Sequence, residues 1–277
     1  MNDLNPELRE KILEENRVVH RLEGPLYLER HPEQTNFFQK RVLRRAVHKV
    51  CKEIGSDDGQ ILDLGCGTGY LYLKFLERGY AMTGVDLSEA MLDVLKSKIE
   101  DKDQERARLI CSDVESFLEE NEDQWSAIVA SALLHHLYDP ETNLKKMCDK
   151  LKPGGVLLIF FEPLKQKIKS PFRYQLHRLL TWVHEVAYRM EMKWRGIALF
   201  EDKYELADYQ RQFGGIDPNL VTEVLRSQGM EILHLEKYCS RRYGVVAWIA
   251  NRLLKSENTF NLLARLPDEP SPPAKRE

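Results

Sequence analysis

The chain has 277 residues, 43% of them hydrophobic and 31% charged, which is the make-up of an ordinary globular protein with ample material for one large core and an inserted lobe. Its formal charge of −3 argues against a broadly basic surface that coats nucleic acid, while leaving room for a local basic patch. The five cysteines (Cys51, Cys66, Cys111, Cys148 and Cys239) are scattered, odd in number and without a C-x-x-C pair, so neither a disulfide framework nor a zinc site is expected, and a reducing, cytoplasmic setting fits. The N-terminus lacks a basic and then apolar leader, and the longest apolar run, Val156 to Phe161, is too short to cross a bilayer.

In chain order, Asn5-Pro6 forms an N-cap and N1 pair, and Leu8, Ile12, Glu15 and Val19 follow at helical spacing until Gly24-Pro25. A second helical stretch starts near Glu33, with Phe37, Leu43, Val47, Val50 and Ile54 on one side. Next comes the stretch around which the chain is organised, Ile61-Leu62-Asp63-Leu64-Gly65-Cys66-Gly67-Thr68-Gly69-Tyr70-Leu71. A buried strand, Gln60 to Leu64, runs into glycines at alternate positions and then into a helix. Glycine permits positive φ and lets a ligand lie against the main chain, and a helix start offers unpaired N–H groups.

A dinucleotide fingerprint, G-x-G-x-x-G, needs a third glycine where this chain has Tyr70. The pattern is D-x-G-x-G-x-G, and the acid Asp63 would oppose a pyrophosphate but suit an ammonium group. ILDLGCGTG resembles, almost letter for letter, the first motif of the class I S-adenosylmethionine-dependent methyltransferases. That resemblance implies S-adenosylmethionine as cofactor, with S-adenosylhomocysteine as product, and places Asp63, Gly65, Cys66, Gly67 and Gly69 against it. Segments ahead of the first strand often fold over the pocket in that family, which makes Tyr27 and Phe37 pocket-wall candidates.

Ala81 to Val85 reads as a second strand ending at Asp86, and Ser88 caps a helix carrying Met91, Leu92, Leu95 and Ile99. An acid there can accept from both ribose hydroxyls, so Asp86, with Leu87 beside it, is assigned to the nucleoside. The third strand, Arg108 to Cys111, leads to Asp113 and Val114, which the resemblance places beside adenine; Asp113 also reads as a helix N-cap. Trp125 to Ser131 forms the fourth strand, and Leu134-His135-His136-Leu137 follows it. Methylases of nucleic-acid bases tend to carry [Asp/Asn]-Pro-Pro-aromatic at this point, and its absence disfavours a nucleic-acid substrate. Ser131 is expected at the cofactor. His136, and next to it His135, are the candidates for general base, since histidine titrates near neutrality; the competing role is to order the loop.

Lys152-Pro153-Gly154-Gly155 turns into a fifth strand, Val156 to Phe161, whose unbroken apolar run suits burial on both faces. Phe172, Leu176, Leu179, Val183, Val186 and Met190 then mark an amphipathic helix or pair of helices. Between Lys165 and Arg195 stand eight basic residues against Glu185 and Glu191, a local charge of about +6 that leaves about −9 elsewhere. This segment, with Trp182 and Trp194, is expected as a lid over the acceptor, Trp182 in the pocket, or as a peripheral contact with an anionic membrane through 165–195. Asp217-Pro218 opens another helix stopped by Gly229; Met230 to Lys237 and Val245 to Ile249 are expected as an antiparallel hairpin, with Asn251 to Ala264 helical.

The expected fold is α/β, a Rossmann-like, doubly wound, mostly parallel seven-stranded sheet with N-terminal helices and a helical insertion. Its parts are an N-terminal covering segment (1–55), a cofactor-binding core (56–162), an insertion or lid (163–217), a C-terminal part of the core with the hairpin (218–265) and a disordered tail (266–277). The expected function is methyl transfer to a small, largely apolar or lipid-like acceptor, with no metal. The alternatives are a noncatalytic nucleoside-binding regulator and an NAD(P)-dependent oxidoreductase, the latter opposed by Asp63 and Tyr70.

Overall fold

The computed structural model describes residues 5–55, 59–165, 171–197 and 203–268. Helix α1 (Pro6–Glu23) is capped by Asn5, whose side chain accepts from the N–H groups of Glu7 and Leu8. Two single-turn helices, α2 (Tyr27–Arg30) and α3 (Pro32–Thr35), lead to α4 (Phe37–Ile54). Strands and helices then alternate: β1 (Gln60–Leu64), α5 (Tyr72–Leu76), β2 (Ala81–Asp86), α6 (Glu89–Lys96), β3 (Ala107–Cys111), α7 (Val114–Glu120), β4 (Trp125–Ser131), α8 (Pro140–Asp149) and β5 (Leu151–Pro163). The helix starts are those the side chains dictate, with Ser88, Asp113 and Asp139 each accepting a main-chain N–H of the first turn.

The seven strands form one sheet in the order β3-β2-β1-β4-β5-β7-β6. β1 to β5 are mutually parallel, and β7 (Thr259–Arg265) runs antiparallel to both β5 and β6 (Glu231–Tyr238). This is the doubly wound, mostly parallel arrangement expected. Successive side chains point to opposite faces, so Leu62, Leu64, Ile128, Ala130, Leu157 and Ile159 meet α7, α8 and α10 (Pro218–Ser227) on one side. Ile61, Ala127, Val129, Leu158 and Phe160 meet α4, α5 and α6 on the other. A fully buried side chain of this size contributes about 1.5–3 kcal/mol, so burial on both faces selects the apolar runs seen in β1, β4 and β5.

Three details depart from expectation. Lys152 to Gly155 lie within β5, but the register with β4 shifts between Trp125 and Ala127, so the four residues make an excursion of the strand. Val245 to Ile249 is not a strand: Gly244–Ile249 is helix α11, continued by a π-helical turn, Ala250–Leu254. Thr259–Arg265, expected to be helical, is instead the strand β7, inserted between β5 and β6, so β6 and β7 are antiparallel neighbours but not a hairpin. A short apolar run does not distinguish helix from strand by pattern alone. Here Ala247 and Ala250 point inward while Val245, Trp248 and Leu253 are exposed, and Asn251 ties the helix to the main chain of Cys239. β7, by contrast, is buried along nearly all its length.

The insertion carries α9 (Pro171–Trp194) and is stitched at its base, where Lys165 N donates to Ile216 O and Ile216 N to Pro163 O. Of the expected disordered tail, 269–277 lies outside the described residues; Leu266 packs on the core and donates to Gly155 O.

Candidate functional site

The glycine loop rises from β1 with Gly65 N and Cys66 N both donating to Val85 O, at 2.8 and 3.1 Å. Gly69 has φ +93°, and a Cβ there would lie 2.5 Å from Leu95 Cδ1, so only glycine fits. Gly67 also has positive φ, but an added Cβ would find only Asp86 Oδ2, 4.0 Å away. That opening lets a ligand approach the main chain. Asp86 Oδ2 accepts from Gly67 N (2.8 Å) and Oδ1 from Ser88 N (2.9 Å), which ties the end of β2 to the loop. These bonds use two of about four acceptor positions of the carboxylate, leaving two for hydroxyl donors. Burial raises the Asp86 pKa, against the pull of His20 and the two N–H groups.

Asp63 is the orphan of the site. It is 1% exposed, and among the described residues neither buried carboxylate oxygen has a hydrogen-bond partner of good geometry, the main-chain N–H of Tyr72 giving only a weak counter-pull. Burial therefore pushes its pKa well above the usual carboxylate range. An uncompensated buried carboxylate is costly, and a cationic ligand beside it removes the cost. Cys66 is buried next to Gly84, Leu87 follows Asp86, and Ser131 ends β4. Asp113 Oδ1 accepts from Ser116 N (3.0 Å) and from Arg9 of α1 (2.9 Å), so a bond to adenine would fall to Oδ2; Val114 starts α7.

Beyond β4 the chain builds a buried polar cluster. Glu162, fully buried at the end of β5, accepts from Leu133 N (2.7 Å) and Leu134 N (2.8 Å) through Oε1, and its Oε2 lies 2.9 Å from His135 Nδ1. The register of β5 against β7 shifts between Ile159 and Glu162, where Phe161 takes φ +60° with its N–H on Asn261 Oδ1. A bulge of this kind re-aims the side chain after it. Ala132, at φ 51°, makes the matching irregular step after β4.

His135 Nε2 faces Asp208 Oδ1 at 3.6 Å, and His136 Nδ1 lies 3.5 Å from the same oxygen and 2.6 Å from Ala207 O. A carbonyl can only accept, so Nδ1 of His136 carries the proton and Nε2 keeps its lone pair. Burial, then the neighbouring His135, lowers the pKa of His136 well below that of free histidine, which keeps the ring neutral; Asp208 is held below the carboxylate range despite its burial, by Arg211 and the histidines. His20 of α1 meets His136 edge-on, with ring centroids 5.2 Å apart. One ligand atom from each of His135, His136 and Asp208 lies within 4.8 Å of the others, so these residues could hold a divalent ion.

The structure thus brings together Asp63, the glycines, Asp86 and Asp113 at the carboxyl edge, with His135 and His136 beyond β4. Helix α1 crosses this edge, fastened by Arg9 to Asp113 and Glu115, by Asn5 N to Tyr138 Oη, and by Glu15 to Leu206 N. Tyr27 is half-buried there, its hydroxyl accepting from Gln34 Nε2 at 3.0 Å. Of the other two expected pocket walls, Phe37 is 54% exposed and Trp182 63% exposed. Phe37 seats over Gly244, where a Cβ would be 2.5 Å from its ring, while its neighbour Phe38 turns inward against Tyr238. Trp182 lies on the outer face of α9 with Leu179, Val183 and Val186. Sequence reasoning did not find His20, Glu162 or Asp208; for Glu162 the signal was a charged residue ending an otherwise apolar strand.

Residues 61–155 match the family described as "Methyltransferase domain". The chain is 34% identical over 110 residues to a ubiquinone biosynthesis O-methyltransferase of Coxiella burnetii, covering 40% of this chain and 45% of that protein. It is 32% identical over 122 residues to a malonyl-[acyl-carrier protein] O-methyltransferase of Priestia megaterium, covering 43% of each. The match spans less than half the length of these curated relatives. The crystal structure of the [4+2]-cyclase SpnF superposes with a TM-score of 0.59 at 19% identity, over 91% of this chain and 95% of that one, which is a likeness of fold. The methyltransferase-domain match over the glycine loop, the O-methyltransferase relatives and the seven-stranded sheet together support a class I S-adenosylmethionine-dependent methyltransferase.

Proposed function

We propose that this protein transfers a methyl group from S-adenosylmethionine to an oxygen of a small, largely apolar or lipid-like acceptor. The observation that carries the reading is the carboxylate of Asp63, buried and, among the described residues, without a charged partner, beside an open glycine loop, which suits a ligand with an ammonium group next to a nucleoside. Asp63 would hold the ammonium end, Asp86 the ribose hydroxyls, Asp113 and the Val114 N–H the adenine, with Gly65, Cys66, Gly67, Gly69, Leu87 and Ser131 forming the cradle. The bound cofactor supplies a methyl group on a sulfonium, which is already activated for displacement. The chain then has two tasks. Alignment of nucleophile and methyl carbon can contribute about 7–11 kcal/mol in well-oriented systems. Removal of the acceptor's proton falls to His136, whose Nε2 is unprotonated once Nδ1 donates to Ala207 O, a bond that also fixes the ring; Glu162 and Asp208 fix His135 beside it. The relatives named as O-methyltransferases support an oxygen nucleophile.

The acceptor's character is inferred from the insertion. Leu179, Trp182, Val183, Val186, Met190 and Trp194 of α9 are all exposed, within a segment whose sequence charge is about +6. Exposed tryptophans beside basic residues suit the boundary of an anionic lipid surface, from which an apolar acceptor would reach the site. Among the described residues no helix is long and apolar enough to cross a membrane. The test is release of S-adenosylhomocysteine when the protein meets S-adenosylmethionine and a lipid extract, with mass spectrometry to find the product heavier by one methyl group. Cofactor binding without turnover on any extract would favour a noncatalytic regulator.

A further inference from the structure

A cavity of about 480 Å³ lies between α4 and α5, and it meets the glycine loop only through Thr68, Gly69 and Tyr70. None of its lining residues belongs to the histidine cluster or to the set Asp63, Asp86 and Asp113. Its walls carry five cationic side chains, Lys40, Arg44, Lys74, Arg78 and Lys98, against one acid, Glu77. Glu77 is already paired with Lys74 at 2.6 Å. Among the described residues no carboxylate pairs with Lys40, Arg44, Arg78 or Lys98. The Lys98 ammonium donates to Thr68 O at 3.0 Å, and the Arg78 guanidinium is spent on Lys74 O. Leu43, Val47 and Leu73 line the same cavity as apolar surface.

The placement of these charges works against folding. Lys40 and Arg44 are four residues apart on α4, and Lys74 and Arg78 are four apart across the end of α5, so each pair repels. The two pairs also line one concavity in a chain whose net charge is −3; Lys40, Arg44 and Arg78 are exposed and Lys74 is half-buried, so water screens part of the repulsion and leaves the charges open to a ligand. Here they rim a cavity of ligand size with an apolar wall. Burial lowers the pKa of Lys98, as befits a cation that lacks an anionic partner.

We propose that this cavity is a second binding site, separate from those for cofactor and acceptor, for an amphiphilic organic anion with a phosphate or carboxylate head and an apolar body. Lys40 and Arg44 receive the head in charge-assisted hydrogen bonds, and Leu43, Val47 and Leu73 receive the body. The ligand rests against the outer side of Thr68 and Gly69, so the site adjoins the cofactor loop through Lys98.

The test is isothermal titration calorimetry on the full chain with dodecyl phosphate below its micellar concentration, and with inorganic phosphate as the head alone. One molecule per chain is expected, with affinity that falls as salt rises. The double variant Lys40→Glu/Arg44→Glu is expected to lose about 10-fold or more in dodecyl phosphate affinity, as reversal of two contacting charges implies. Lys49→Glu/Lys52→Glu, on α4 but outside the cavity, is expected to bind as the wild type does. Circular dichroism melts that match the wild type show that both variants fold, whatever the outcome for S-adenosylmethionine. Absence of saturable binding by the wild type overturns the proposal. So does equal binding by the Lys40/Arg44 variant, equal loss in the Lys49/Lys52 variant, or inorganic phosphate binding as tightly as dodecyl phosphate.

Discussion

Replacing Asp63 by asparagine separates the demands of folding from those of binding. In the free protein both oxygens of Asp63 are buried and, among the described residues, lack a hydrogen-bond partner of good geometry, so the amide, nearly the same shape and uncharged, adds no larger desolvation cost. The pKa of Asp63 is raised by burial, so the native state binds its proton more tightly than the unfolded chain does. Ionisation therefore costs stability as pH rises above about 3.8, the unfolded value, and Asp63→Asn is relieved of that loss. At neutral pH the variant is expected to melt no lower than the wild type. Binding should move the other way. A hydrogen bond between an ammonium and a carboxylate contributes about 1.5–3 kcal/mol, so the variant should bind S-adenosylmethionine about 10–150-fold more weakly. Calorimetric titration gives the affinity and differential scanning calorimetry the stability. A folded Asp63→Asn variant with wild-type affinity would refute the assignment; a variant that simply unfolds would refute the claim that the acid is a burden to the free protein.

Glu162→Ala strands two main-chain N–H groups and a histidine in the core, and about 3–5 kcal/mol of stability should be lost in urea unfolding, with Glu162→Gln recovering part of it; a loss under 1 kcal/mol would contradict the cluster described. His136→Ala is expected to lower turnover by about 10²–10⁴-fold while cofactor affinity holds, and near-normal turnover would leave His136 a structural residue. His31 sits between Glu23 and Glu33, and against its burial these carboxylates raise its pKa to about 10. Its contribution is thus complete below the unfolded value near 6.5 and disappears as pH rises through about 10. Since the side chain is about a third exposed, screening should hold the effect near 1 kcal/mol; identical pH dependence of urea midpoints in the wild type and His31→Gln would contradict it.

Local chemistry made most of the core legible. Alternating glycines after a buried strand, caps at Ser88, Asp113, Asp139 and Asp217, and an acid ending β2 each depend on neighbours within a few residues, so sequence displays them directly. The C-terminal part was less readable because Val245–Ile249 and Thr259–Arg265 are both short apolar runs. Which becomes a strand is decided by the open edges of β5 and β6, a matter of tertiary pairing. The histidine cluster was half visible for the same reason. His135 and His136 are adjacent, but Glu162 and Asp208 lie 27 and 72 or more residues along the chain and arrive through a bulge and an insertion. For Phe37 and Phe38 the difference of one position decided which ring was buried, a distinction of about 100° around a helix.

The central claim is that the carboxyl edge of β1 and β2 is a site for S-adenosylmethionine. It is tested most directly by calorimetric titration of the full chain with S-adenosylmethionine, S-adenosylhomocysteine and NAD. Saturable binding of the first two at one site per chain, with no binding of NAD, is the expected result. Binding of NAD in preference, or no binding of either sulfur nucleoside, would contradict it.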